Sequence, residues 1–257
     1  MRECLRKAGA IRECRKTKNS NIMKTPQIKK LRSQGFTLIE LLVVIAIIAI
    51  LASIALPTMT RAMMHARFAT TVSNAKQIGI GLRMYSAAND GQFPLYKDPD
   101  ASNNLLATSN EALELLMPRY AGGDKSIFTN KSSAWTKKLP ASVSDQYLLR
   151  AGECDWAYVR GLSETSDSRL PLLATAFAPG GTTYVKDPSK PGGVWKGELA
   201  AVLRVDGSVQ TTPEPKYTGT GTFIKRMDSP SKNMFEKDTG WLEGDNVQVL
   251  LPIPVGS

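Results

Sequence analysis

Histidine and cysteine, the side chains most used to hold transition metals or to act as nucleophile and base, are scarce: 257 residues contain one His and three Cys. His65 stands between Arg61 and Arg67 in a stretch of helical spacing, a place for a solvated or phospholipid-facing side chain rather than a catalyst. Cys4 and Cys14 are separated by nine residues, which matches no zinc or redox motif. The third, Cys154, would stand alone once the first residues were removed, so an internal disulfide is then excluded. No Cys-x-x-Cys and no phosphate-cradling Gly-x-x-x-x-Gly-Lys-Ser/Thr occurs. Gly180-Gly181 and Gly192-Gly193 lie in proline-containing loops and read as turns. Asp167, Asp187, Asp206, Asp238 and Asp245 are scattered and read as surface residues. The expectation is a protein that is not an enzyme.

Beyond the first 35 residues an excess of either charge sign is also missing. The whole chain has a net charge of +10. Residues 1–35 carry eleven Lys/Arg against Glu3 and Glu13, which leaves 22 basic and 21 acidic residues for positions 36–257. The basic character therefore belongs to a leader, and nothing in the remainder calls for nucleic acid as a partner. Met23 offers an alternative start that would shorten the leader to MKTPQIKKLRSQG.

What is present is a run of 21 residues from Phe36 to Leu56, FTLIELLVVIAIIAILASIAL, with a single charge. As a helix it is about 31 Å long, enough to cross a bilayer, and it has no polar stripe of the kind a buried core helix shows. The lysines and arginines before it keep the leader in the cytoplasm and send the C-terminal bulk outside. An ordinary signal peptide is the rival reading, with Ser53-Ile54-Ala55 as its cleavage site, but the apolar core is too long and holds a carboxylate. That carboxylate, Glu40, is costly in hydrocarbon unless it finds a partner or snorkels to the near interface.

The string Ser33-Gln34-Gly35-Phe36-Thr37-Leu38-Ile39-Glu40, between a basic leader and an apolar run, resembles the processing site of type IV prepilins and type II secretion pseudopilins. The resemblance implies cleavage by a prepilin peptidase between Gly35 and Phe36, N-methylation of the Phe36 amine, and assembly with identical or homologous subunits. In such an assembly Glu40 accepts the Phe36 amine of a neighbour. It also implies a bacterial inner-membrane location with a periplasmic or surface-exposed head, membrane lipid around the helix, and an inner-membrane assembly platform as partner. Pro57 falls where that family has a helix-bending proline.

After Pro57, Met59, Ala62, Met63, Ala66, Ala69, Val72, Ile78, Leu82 and Tyr85 continue at helical spacing, so the rod is expected to reach about Ala88, roughly 80 Å in all. A bend or local melting is expected at Pro57. Gly79 and Gly81 weaken the last turns but permit a sheet to approach closely. Asn89-Asp90-Gly91 through Asp98-Pro99-Asp100 breaks the pattern, and the head should begin there. Thr108-Ser109-Asn110-Glu111 is a capping box for a second helix containing Leu113, Leu115 and Leu116 and ended by Pro118 and Gly122-Gly123. Trp156–Val159, Leu170–Phe177, Leu199–Val205 and Val247–Leu251 read as strands, with a hairpin at Asp206-Gly207.

The expected organisation is a leader at 1–35, a transmembrane and assembly segment at 36–56, an amphipathic helix at 57–88 and a globular head at 89–257. The fold class is α+β and pilin-like, with the long N-terminal helix packed on an antiparallel sheet. Gly197–Val209 is similar to the C-terminal strand pair of large pilin-like proteins in planctomycetes and verrucomicrobia, except that Lys196 stands where those carry His. Major secretion pseudopilins further imply calcium as a candidate cofactor, with Asp238 and Asp245 as candidate ligands. The function implied is a structural subunit of a secretion pseudopilus or type IV filament. The alternative is a membrane-tethered binding head that does not polymerise.

Overall fold

A computed structural model describes residues 36–98, 104–120, 124–136, 147–212, 216–218, 221–226, 228–229 and 231–254. The leader, Gly35 with it, lies outside these residues, as do Cys4, Cys14, Asp100 and Gly122-Gly123. The chain divides into two compact units, Met1–Ala52 and Ser53–Ser257. In the first, the described residues are Phe36, Thr37 and the start of helix α1 (Leu38–Ala87), and all of them are exposed.

In the second unit α1 acquires a buried face. Phe68, Thr71, Ala75, Ile78, Leu82 and Tyr85 recur every three or four residues, so they form one stripe. The stripe meets a five-stranded antiparallel sheet of order β4-β3-β2-β1-β7, built from β1 (Trp156–Arg160), β2 (Pro171–Thr175), β3 (Ala200–Arg204), β4 (Val209–Thr212) and β7 (Gln248–Leu250). Alternation along β3 puts Leu199, Ala201 and Leu203 on one face. Ala201 and Leu199 cluster with Phe68 and Trp195, and a Cβ added at Gly79 would lie 2.9 Å from a Leu203 methyl. The missing side chain at Gly79 is thus what lets α1 lie so close to β3. Gly81, the other helix glycine, meets Leu116 and Tyr120 at ordinary distances.

Trp156–Val159 and the whole of β2 are buried, so both faces of the central strands are covered. The long connections contribute Tyr184, Ile224, Met234, Phe235 and Trp241 to the same core. Strands β3 and β4 join through Val205–Ser208, where Gly207 has φ 81° and its amide donates to the Arg204 carbonyl at 2.9 Å. Arg83 of α1 donates to the Val205 carbonyl, tying the helix end to this hairpin.

The capping box of α2 (Ser109–Glu114) forms as expected: the Glu111 amide donates to Thr108 Oγ1 and the Glu111 carboxylate accepts from the Thr108 amide. The helix is shorter than its leucine pattern implies. Leu115 and Leu116 fall in tight turns, where Leu116 and Met117 donate three residues back to Leu113 and Glu114. They are core residues without being helical, because burial of Leu116 and Met117 is satisfied by turns as well as by a helix. The strands lie where the apolar runs place them, within two residues at each end. A second, two-stranded sheet, β5 (Lys216–Thr218) with β6 (Gly221–Phe223), is added to the expected layout. The architecture is α+β and pilin-like: one long apolar N-terminal helix and an antiparallel sheet head.

Candidate functional site: the N-terminal segment

The segment begins at Phe36, which is 72% exposed, and runs into α1 with Leu38, Ile39 and the apolar residues through Leu56 all exposed. No other helix among the described residues is long and apolar enough to cross a membrane. A surface of this kind is stable only when hydrocarbon or other apolar helices surround it.

Glu40 has a partner inside its own chain. Its Oε2 accepts from the Thr37 amide at 2.8 Å and from the Thr37 hydroxyl at 2.7 Å, while the Glu40 amide donates to Thr37 Oγ1 at 3.3 Å. Thr37-Leu38-Ile39-Glu40 is therefore a second capping box, and it satisfies backbone donors that the first turn of a helix otherwise leaves open. Sequence reasoning missed this use of Thr37, although the signal, Thr followed three residues later by Glu before an apolar run, was present. The carboxylate also sits where the helix dipole favours a negative charge.

Pro57 lies inside α1, and the helical conformation continues through it. The local melting expected there does not occur. The Thr58 and Thr60 hydroxyls donate to the carbonyls of Ala55 and Pro57, three residues back, at 2.8 and 2.9 Å, so side chains supply hydrogen bonds around the residue that lacks an amide proton.

The remaining candidates are not brought to this segment. His65 is exposed on α1. Asp238 is half-buried and held by two cations: Arg226 lies 3.4 Å away and Lys232 pairs with the same oxygen. These hold its carboxyl below the usual carboxylate range. Asp245 is exposed, and among the described residues no group of three His, Cys, Asp or Glu side chains is placed to hold a metal. A carboxylate already neutralised by Arg226 and Lys232 does not fit the oxygen-rich, uncompensated cage that calcium takes. Cys154 is buried under Ser109, and burial pushes its thiol up to about 12, far from a reactive thiolate. Asp167 is salt-bridged at 2.6 Å to Arg169 and brought down to about 2, an exposed structural pair.

The comparisons point to the same segment. A family model, the prokaryotic N-terminal methylation motif, matches residues 30–56. Leader end, Gly35-Phe36, Glu40 and the apolar run all fall within it. Motif, exposed apolar helix and sheet head together are consistent with type IV prepilin-like and pseudopilin-like proteins, and they fit a single-pass membrane anchor. No curated protein and no solved structure matches the chain.

Proposed function

We propose that the chain is a structural, non-enzymatic subunit of a type II secretion pseudopilus or a type IV filament. A prepilin peptidase cuts between Gly35 and Phe36, the freed Phe36 amine is methylated, and the helix from Phe36 to Leu56 leaves the inner membrane through an assembly platform to pack against like subunits. The leader faces the cytoplasm and the head the periplasm or the outer surface. The observation that carries this reading is the coincidence of the methylation motif with a helical segment that has no buried residue and one carboxylate. N-terminal sequencing and intact mass of membrane-extracted protein test it: a chain starting at methylated Phe36 is expected. A chain starting at Leu56 would instead establish signal-peptide cleavage.

One observation favours a second reading, a tether that does not polymerise. The Thr37–Glu40 capping box gives the carboxylate a use within the monomer, so its presence in the apolar run does not by itself require a neighbour's amine.

A further inference from the structure

A cleft of about 480 Å³ opens within the second unit, between α1 and the loop that precedes β3. Arg61, Arg67 and Lys196 line it against a single acid, Glu198, and all four side chains are exposed. None of the three cations has an ion pair or side-chain hydrogen bond among the described residues, in contrast to Arg169, Arg226 and Lys232, each held by an aspartate. The rest of the lining is mixed: Met63, Met64, Val194 and Trp195, whose ring packs edge-on to Phe68 at 5.2 Å, with the hydroxyls of Thr60 and Ser132. Three uncommitted positive charges beside these apolar side chains suit an anion attached to something greasy.

The position along the helix narrows the ligand. Arg61 is five residues past Leu56, about 7.5 Å beyond the end of the apolar run, inside the roughly 5–8 Å depth of a headgroup layer. Arg67 is six residues, about 9 Å, further on and past that layer, where an adjoining cleft of about 420 Å³ begins that shares Arg67 and Ser132 and is lined by Thr70, Asn74 and Asn130. Hydroxyl and amide groups there offer hydrogen bonds to a polyol beyond the phosphate. Lys196 reaches the cleft from a left-handed backbone, φ 55°, in a loop closed by its own amide donating to the Gly193 carbonyl at 2.8 Å. A lysine held where glycine is the unstrained choice marks a place where the side chain is wanted.

We infer that this cleft binds the phosphodiester headgroup of an anionic, hydroxyl-bearing phospholipid and so fixes the head at the membrane surface. The inference rests on the membrane anchor and not on filament assembly, so the two readings can fail separately. The processed chain beginning at Phe36, without the basic leader, is titrated in neutral detergent by calorimetry with short-chain phosphatidylglycerol, short-chain phosphatidylcholine, inorganic phosphate and polyglutamate. Saturable binding of phosphatidylglycerol is expected, with phosphatidylcholine and phosphate weaker by about tenfold or more, as expected when both net charge and acyl chain contribute. Arg61→Gln combined with Lys196→Gly should weaken the anionic lipid by about 25-fold, fivefold for each cation lost near a lipid surface. Lys196→Gly suits the left-handed backbone, so an unchanged melting temperature certifies the variant. Equal binding of phosphatidylcholine, equal binding by the double variant, or no binding at all would overturn the proposal. Phosphate binding as tightly as the lipid would make this a free-phosphate site, and tighter polyglutamate binding an acidic protein site; either result overturns the lipid assignment.

Discussion

Helix α1 contains two stretches of different composition that meet opposite fates. From Leu38 to Pro57 every residue is exposed, whereas from Phe68 to Ser86 a stripe is buried by the sheet. The second stretch alternates its apolar positions with Lys76, Gln77 and Arg83, so one face suffices to satisfy it. The first is apolar all round, and no single sheet could cover it. The lesson is that a helix can be completed by its own chain or by its surroundings, and the distribution of polar residues around it says which.

The largest effect should come from removing the first stretch. A chain of residues 58–257 is expected to be soluble, monomeric and folded, because the buried stripe, the sheet and the capped α2 all remain. Gel filtration with circular dichroism checks this, and an aggregated product would mean that the apolar half also completes the core.

The contact between stripe and sheet is next. Gly79→Leu in that soluble chain should cost about 2–3 kcal/mol, since the new side chain must enter space already filled by Leu203. Gly81→Ala should stabilise by about 0.5–1 kcal/mol, because the added methyl meets only ordinary contacts and glycine is a poor helix former. Urea unfolding reads both. If the two glycines respond alike, close approach at Gly79 is not what seats the helix.

A smaller effect separates the head's core from the exposed segment. Asp155 is buried beside Tyr184 and Thr175, and burial raises its carboxyl well above the ordinary range. The folded state then holds a proton that the unfolded chain releases. Stability from this group is complete below the ordinary carboxylate range and is lost as pH rises toward the raised native value. Asp155→Asn should flatten that fall and raise the melting temperature near neutral pH by a few degrees, about 2–4 °C for each kcal/mol recovered. An unchanged pH profile would show that Asp155 is ionised in the fold.

Much of this was legible because the signals are local. The Thr108–Glu111 box, the Asp206-Gly207 turn and the apolar strands each announce themselves within ten residues, and the apolar run within its own 21. The Gly-Phe-Thr-Leu-Ile-Glu string was legible for the same reason. Other features depend on partners distant in sequence. The shortening of α2 depends on how Leu116 and Met117 reach the core, and the engagement of Asp238 depends on Arg226 and Lys232. The cleft joins Arg61 and Arg67 to Lys196, more than 120 residues later, which no local pattern records. The Thr37–Glu40 box is a different case, since its residues were read for processing and for Glu40's role in assembly, not for helix capping.

That box gives the most direct test of the proposed role of Glu40 in assembly. Glutamine at position 40 can still accept from the Thr37 amide, because a capping box takes Glu or Gln, but it brings no charge for a neighbour's Phe36 amine. Wild type, Glu40→Gln and Glu40→Ala are expressed with the assembly machinery, cleavage is confirmed to be equal, and sheared filaments or cross-linked multimers are counted. If the carboxylate serves assembly, Glu40→Gln loses most multimers and Glu40→Ala nearly all, as expected when breaking one side of a buried ion pair costs ~3–5 kcal/mol. Wild-type assembly by Glu40→Gln would show that Glu40 serves only to cap its own helix and would contradict the account.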